Sequence, residues 1–310
     1  MEKFSSIERV VGKVSADEKR DILQGIESQF SDQYFEKLED KEREKTPTEI
    51  EIINFANQCT NEIRNKYGLP DFNIPEKNIH VIKKEKWPRE NNDALYNSMM
   101  QAVALKENSA NIVFMKKVVH EMLHFKSYNA LQVKDDDSEI DEYRSGLTVK
   151  TRQGENMYFR NLNEAVTEEL TKNIFRKIAN NPLFTKEIIK TVEIMRKYPD
   201  AKTNKGEYLF DDDTFYAKMD AKEDEINTES FTKEKERKIL DTLIDKLFER
   251  NKEVFKKRED IFEMFAKAMM TGNILSIGKL IDRTFGKGVF RKIGELDEEI
   301  EEQLRFVSAL

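Results

Sequence analysis

Apolar residues recur at helical spacing over most of the chain. In residues 15–30, Ile22, Ile26 and Phe30 stand at i, i+4 and i+8, one face of a helix. A second stripe, Ile52, Phe55, Ala56, Cys59, Ile63 and Tyr67, predicts a helix over 48–67, closed by Gly68 and Pro70. The charged run EKLEDKEREKTP (36–47) reads as a solvated face, and Pro47 marks a boundary. The period then changes to two: 78–85 reads as a strand, and so does MMQAVALK (99–106). A turn at 107–111 leads to the short apolar run IVFM (112–115), and a helix is expected from near Lys116 to about Ala130. VKDDDSEID (133–141) reads as an acidic loop, and 143–160 as a β-hairpin turning at Gly154. Leu162, Val166, Leu170, Ile174 and Ile178 share one face of a helix over 161–179. Beyond Pro182 the pattern predicts helices at 185–197, 233–257, 258–271, 274–285 and 295–308, with a polar loop over 198–232. The expected class is α+β, predominantly helical with a small mixed sheet. Its parts are a helical extension (1–46), a core (47–181) and a helical C-terminal subdomain (182–310).

Composition narrows the function classes. The 20 Phe, 11 Met and 9 Tyr among 310 residues are too many large apolar groups for a disordered chain, despite 36% charged residues. A net charge of −7 disfavours a nucleic-acid partner, which needs a basic surface. No apolar stretch has the length of a membrane span or a secretory signal, so a soluble cytoplasmic protein is expected. The single Cys rules out a disulfide framework within the chain, and Cys59 lies in a helical core stripe as a small hydrophobe. The acidic clusters Asp135–Asp137 and Asp211–Asp213 do not fit a calcium loop and read as solvated.

The chemistry concentrates in KKVVHEMLHF. His120 and His124 are four apart on the predicted helix, so both imidazoles reach one metal ion, and Glu121 between them can take a proton from a metal-bound water. Two of the three histidines fall in this HExxH pattern; His80, the third, sits on a strand and reads as structural. A catalytic zinc site takes three protein ligands and keeps an open position. With no third histidine nearby, a carboxylate must complete it. Glu164 and Glu168 share a helix face opposite Val166 and Leu170. Glu164 reads as a ligand, or else as the partner of an Asn161 helix cap. Glu168 reads as the acceptor for the far nitrogen of a ligating histidine, or else as an exposed helix charge.

HEMLH followed by NEAVTEEL (163–170) resembles the gluzincin, or thermolysin-like, clan of zinc metallopeptidases, whose second helix carries Asn-Glu-x-x-Ser/Thr-Asp/Glu. The resemblance covers roughly residues 48–180. It implies a zincin-type core with an active-site helix and a ligand helix. One Zn²⁺ would be held by His120, His124 and Glu164, with Glu121 as general base, Glu168 behind a histidine, and a peptide or protein as substrate. No later histidine matches the one such enzymes aim at the transition state. Tyr158, or failing it Tyr143, stands as candidate for that role, and strand 99–106 as a rail for the substrate chain. An aminopeptidase stays possible, though no Gly-x-Met-Glu-Asn pattern is present, and the place of Cys59 in a helical core stripe argues against the cysteine ligand of a peptide deformylase. The alternative from another class is a non-enzymatic helical interaction protein with a structural or vestigial zinc site. The Ile22, Ile26 and Phe30 stripe must be buried somewhere, either on the core near the cleft or, as the plainer reading, on the C-terminal helices.

Overall fold

The computed structural model describes residues 5–32, 40–88, 92–135, 139–152, 154–203, 205–220 and 225–310. In chain order they form β1 (Ile7–Val11), α1 (Ala16–Asp32), β2 (Glu42–Arg43), α2 (Pro47–Lys66), β3 (Ile79–Ile82), β4 (Ala94–Asn97), β5 (Ala102–Lys106) and α3 (Asn111–Lys126). Then come β6 (Asn129–Val133), β7 (Ile140–Ser145), β8 (Thr148–Lys150), β9 (Met157–Tyr158), α4 (Arg160–Ile178) and α5 (Pro182–Lys197). The remainder is β10 (Thr214–Asp220), β11 (Glu225–Ser230), α6 (Glu234–Arg250), α7 (Arg258–Thr271), α8 (Ile274–Phe285), α9 (Val289–Glu295) and α10 (Ile300–Ala309). The class is α+β and mostly helical. Among the described residues no helix is long and apolar enough to cross a membrane.

One sheet has the order β2-β3-β5-β4, with β3 and β5 parallel and the outer strands antiparallel to them. β3 is buried along its whole length, as a central strand must be. The second sheet, β1-β6-β7-β8-β9, pairs β1 parallel to β6 and is otherwise antiparallel. α2 and α3 pack against each other, and α3 lies against β4 and β5. Thr46 starts α2 with a capping box: its hydroxyl accepts from the Glu49 N–H while the Glu49 carboxylate accepts from the Thr46 N–H. The amino group of Lys126, wholly buried, donates to Asn57 O (3.1 Å) and Asn61 Oδ1 (2.8 Å) of α2. Arg64 of α2 donates to the Lys126 carbonyl at 2.6 Å. These bonds pin the C-terminal end of α3 to α2.

Several expectations are corrected. The apolar run 112–115 is the first turn of α3, which ends at Lys126 and gives way to β6. Strand 99–106 shortens to β5 and lies inside its sheet, because β4 covers its edge. The polar stretch 198–232 holds the β10–β11 hairpin, tied to α5 where Thr191 accepts from the Ala217 N–H at 3.1 Å. Among the described residues of 1–46, β1 joins one sheet and β2 the other. Residues 36–39 of the charged run, and Asp136 and Asp137, lie outside the described residues.

The stripe of α1 splits between two cores. Ile26 packs with Ile7, Val10, Leu131 and Val133 beside the five-stranded sheet. Phe30 enters the principal core, stacked on Phe72 (5.6 Å between centroids) and edge-on to Phe125 (6.1 Å). Neither contact is with the C-terminal helices. Phe30→Ala should therefore destabilise the protein by about 3–5 kcal/mol, the usual cost of emptying a buried phenylalanine site. Urea unfolding checks this, and a loss below about 1 kcal/mol would mean that the segment is not part of the core.

Candidate metal centre

α3 is apolar nearly all round: of its residues only Asn111 and Lys116 escape burial. Its first turn is capped from a distance, with the Glu187 carboxylate of α5 accepting from the N–H groups of Asn111 (2.9 Å) and Ile112 (2.8 Å). α4 is capped the same way. Asp297, beyond α9, accepts from the N–H groups of Arg160 (2.6 Å) and Asn161 (3.1 Å). The helix begins after Phe159, whose backbone is left-handed (φ 64°). Asn161 donates to Asp297 O and Gln303 Oε1, so it is not the helix cap and Glu164 is free of a capping box.

This leaves His120 and His124 of α3 facing Glu164 of α4. The two Nε2 atoms are 3.2 Å apart; Glu164 Oε2 is 3.7 Å from His120 Nε2, and Glu164 Oε1 is 3.4 Å from His124 Nε2. One donor atom from each residue falls within 4.8 Å of the others, so the three could hold a metal ion. Two imidazoles and a carboxylate are a donor set that suits a divalent transition metal. No second cluster of this kind occurs among the described residues.

Glu168, without solvent exposure, orients His120. Its Oε2 meets His120 Nδ1 at 2.7 Å, which turns Nε2 toward Glu164. Its Oε1 accepts from Lys116 Nζ (2.8 Å), the Thr232 N–H (2.6 Å) and the Thr232 hydroxyl (3.1 Å). Asn163 steadies the other histidine. Its Oδ1 accepts from the Leu147 N–H at 2.9 Å, and its amide nitrogen lies 3.4 Å from His124 Nδ1. Gly146 (φ +57°) makes room for it, since a Cβ there would stand 2.3 Å from Asn163 Oδ1. Lys233, left-handed like Phe159 and the residue before α6, reaches Glu164 Oε2 at 3.1 Å.

The cluster opens on a cavity of about 880 Å³. One wall is the edge strand β4, from Ala94 to Tyr96; Phe215, Glu229 and Ser230 of the β10–β11 hairpin also line it. Glu121 is on the wall too, with the Tyr96 backbone N–H turned to its carboxyl group. Tyr158 and Tyr143 are not among the lining residues. Met157 faces the cavity, while Tyr158 packs against the principal core and Tyr143 lies near Arg152. His80 is buried against Glu42 at 2.9 Å, and burial pushes the Cys59 thiol up to about 11. Neither lines the cavity. Of the acidic clusters, Asp135 pairs with Lys13 and Asp213 with Lys172 and Arg237. Sequence reasoning missed Lys116, Thr232, Lys233 and Asp297, none of which carries a motif. Asn163 stood in the quoted pattern without a role.

The electrostatics are uneven. Burial opposes a charge on His120, yet the Glu164 and Glu168 carboxylates outweigh it and push its pKa up to about 9. Burial pushes His124 down to about 4, aided by the nearby cations His120 and Lys233. Burial alone would raise Glu164, but His124, His120 and Lys233 hold it well below the usual carboxylate range. Burial pushes Glu121 up to about 7, and the Glu164 charge adds to the rise.

Compared with protein-family models, curated proteins and solved structures, the chain matches none. The site is therefore read from its own chemistry, and proton counting tests it first. At pH 8 the metal-free site has His120 protonated, His124 neutral and Glu164 ionised. A metal ion needs His120 neutral, so uptake must expel that proton. Calorimetric titration of Zn²⁺ at pH 8, in buffers of differing ionisation enthalpy, should show release of close to one proton per ion. Affinity should rise by about tenfold per pH unit and level off as the pH passes the His120 pKa of about 9. Uptake without proton release would overturn the assignment of His120.

Proposed function

We propose that the protein is a zinc-dependent metallopeptidase that hydrolyses peptide bonds, most simply as an endopeptidase. The observation that carries the reading is the placement of Glu121. Its carboxyl group stands on the cavity wall, one residue from His120, with a pKa pushed up to about 7. A purely structural metal site has no use for a base there. A general base works best with its pKa near the operating pH, and burial supplies that here. The order of strand, edge strand, HExxH helix and carboxylate helix supports a zincin-type core as the finer description of the fold.

His120, His124 and Glu164, which line the cavity, would hold Zn²⁺. When bound there, zinc lowers the pKa of a coordinated water and polarises a carbonyl oxygen. The chain's own residues do the rest. The Glu121 carboxylate takes the water's proton and later delivers it to the leaving amine nitrogen. Glu168 keeps His120 Nδ1 occupied, so Nε2 stays available. β4, not 99–106, is the edge against which an extended substrate would align, since β5 is already paired on both sides.

Glu121→Gln should keep the fold and about one zinc per chain but lower casein hydrolysis by roughly 10²–10⁴-fold, the usual contribution of a general base. His120→Ala and Glu164→Ala should each lose the zinc, as read by elemental analysis. Undiminished turnover in Glu121→Gln would sink the base assignment, and full metal content in either alanine variant would remove that residue from the ligand set.

A further inference from the structure

Among the described cavity-lining cations, Lys233 is the one in contact with a candidate ligand, with its Nζ 3.1 Å from Glu164 Oε2. Lys116 is bound to Glu168 and Lys117 to Asp93 (3.1 Å), while Arg160 is exposed. Lys233 is held there by two devices. The preceding residue, Thr232, is clamped onto buried Glu168 through both its N–H and its hydroxyl. Lys233 itself takes a left-handed backbone (φ 62°, ψ 38°), a conformation that costs a lysine energy and recurs at functional positions.

A neutralising role alone does not account for this lysine. In the metal-free protein the ammonium balances Glu164. Once a divalent cation sits on that carboxylate, a second positive charge beside it repels the ion and weakens the site. In the metal-loaded site an ammonium kept there suits negative charge that appears later, beside the ion. Resting on the metallopeptidase reading, we infer that Lys233 is a catalytic residue that stabilises the oxyanion of the transition state. As a water oxygen bonds to the peptide carbon, the carbonyl π pair moves onto oxygen, and the resulting anion meets the Lys233 ammonium. Glu121 holds the water's proton. When the pair returns and the C–N bond breaks, that proton goes to the departing nitrogen, and Lys233 keeps its own throughout. This is the role that Tyr158, packed on the core, is not placed to fill.

The test compares wild type, Lys233→Met and Lys233→Arg by three measurements. These are zinc affinity against a competing chelator, binding of a peptidyl phosphonate to the zinc-loaded protein, and kcat and KM on a peptide. Lys233→Met should bind zinc as tightly as wild type or more tightly. It should lose roughly 10²-fold in phosphonate affinity and in kcat, with KM little changed, as when an oxyanion donor is removed. Lys233→Arg should restore most of both. Should methionine at this backbone position prevent folding, Lys233→Asn carries the same test, because asparagine takes the left-handed conformation readily. Weaker zinc binding with unchanged phosphonate affinity would overturn the proposal and reduce Lys233 to a support for Glu164. A wild type that binds zinc and phosphonate but cleaves no peptide sinks the metallopeptidase reading and the catalytic role of Lys233 with it, whereas a loss confined to Lys233 leaves that reading standing. A wild type that binds neither ligand overturns both.

Discussion

Glu168 is a carboxylate with no access to water, and the site is built around the need to satisfy it. A buried charge without partners costs several kcal/mol, so its oxygens must meet donors in the protein. They meet them from three directions: His120 and Lys116 of α3, and Thr232 at the junction of β11 and α6. Since Glu168 itself belongs to α4, one side chain locks three separate parts of the chain together. The separation of α3 and α4, and hence the distance from Glu164 to the histidines, follows from that lock. Removing any one donor leaves the carboxylate short of a partner, so the network stands or falls as a unit.

The two site helices share a second device. Neither begins with its own capping side chain. Each receives a carboxylate from far along the chain, Glu187 for α3 and Asp297 for α4. A capping carboxylate placed by tertiary structure fixes where the helix starts as well as stabilising it, because the acceptor cannot follow a helix that slips by a residue. At Phe159 this position is reinforced by packing. The ring stacks on Phe290 at 4.4 Å between centroids, and it lies so close to Gly294 that a Cβ there would meet it at 2.8 Å. The rotational setting of α4, which decides whether Glu164 faces the histidines, is therefore held by residues from the C-terminal helices.

What could be read from the sequence divides along the same line. His120, Glu121 and His124 lie within five residues on one helix, and Glu164 and Glu168 are one turn apart on another, so helical periodicity alone brings out both groups. Contacts that close the site across the chain, such as Thr232, Lys233, Glu187 and Asp297, obey no spacing rule and left no signal. The start of α3 is hidden in the sequence because IVFM belongs to a helix buried nearly all round, and such a helix lacks the polar face that separates it from a strand. β4 is short and half-buried, with too little alternation to declare itself. Met157 lines the cavity and Tyr158, its neighbour on the strand, does not, because adjacent strand residues face opposite ways.

The dependence of α4 on Asp297 also sets an order of events during synthesis. A nascent chain that has emerged as far as α6 already carries both histidines, both carboxylates, Thr232 and Lys233. It still lacks the acceptor that holds the first turn of α4, and the aromatic shelf at Phe290 that seats Phe159. Domains are made from the N-terminal side, yet this centre is completed from the C-terminal side. The first turn of α4 therefore waits on residues that follow α6 in the chain, and the reactive groups precede the residues that align them.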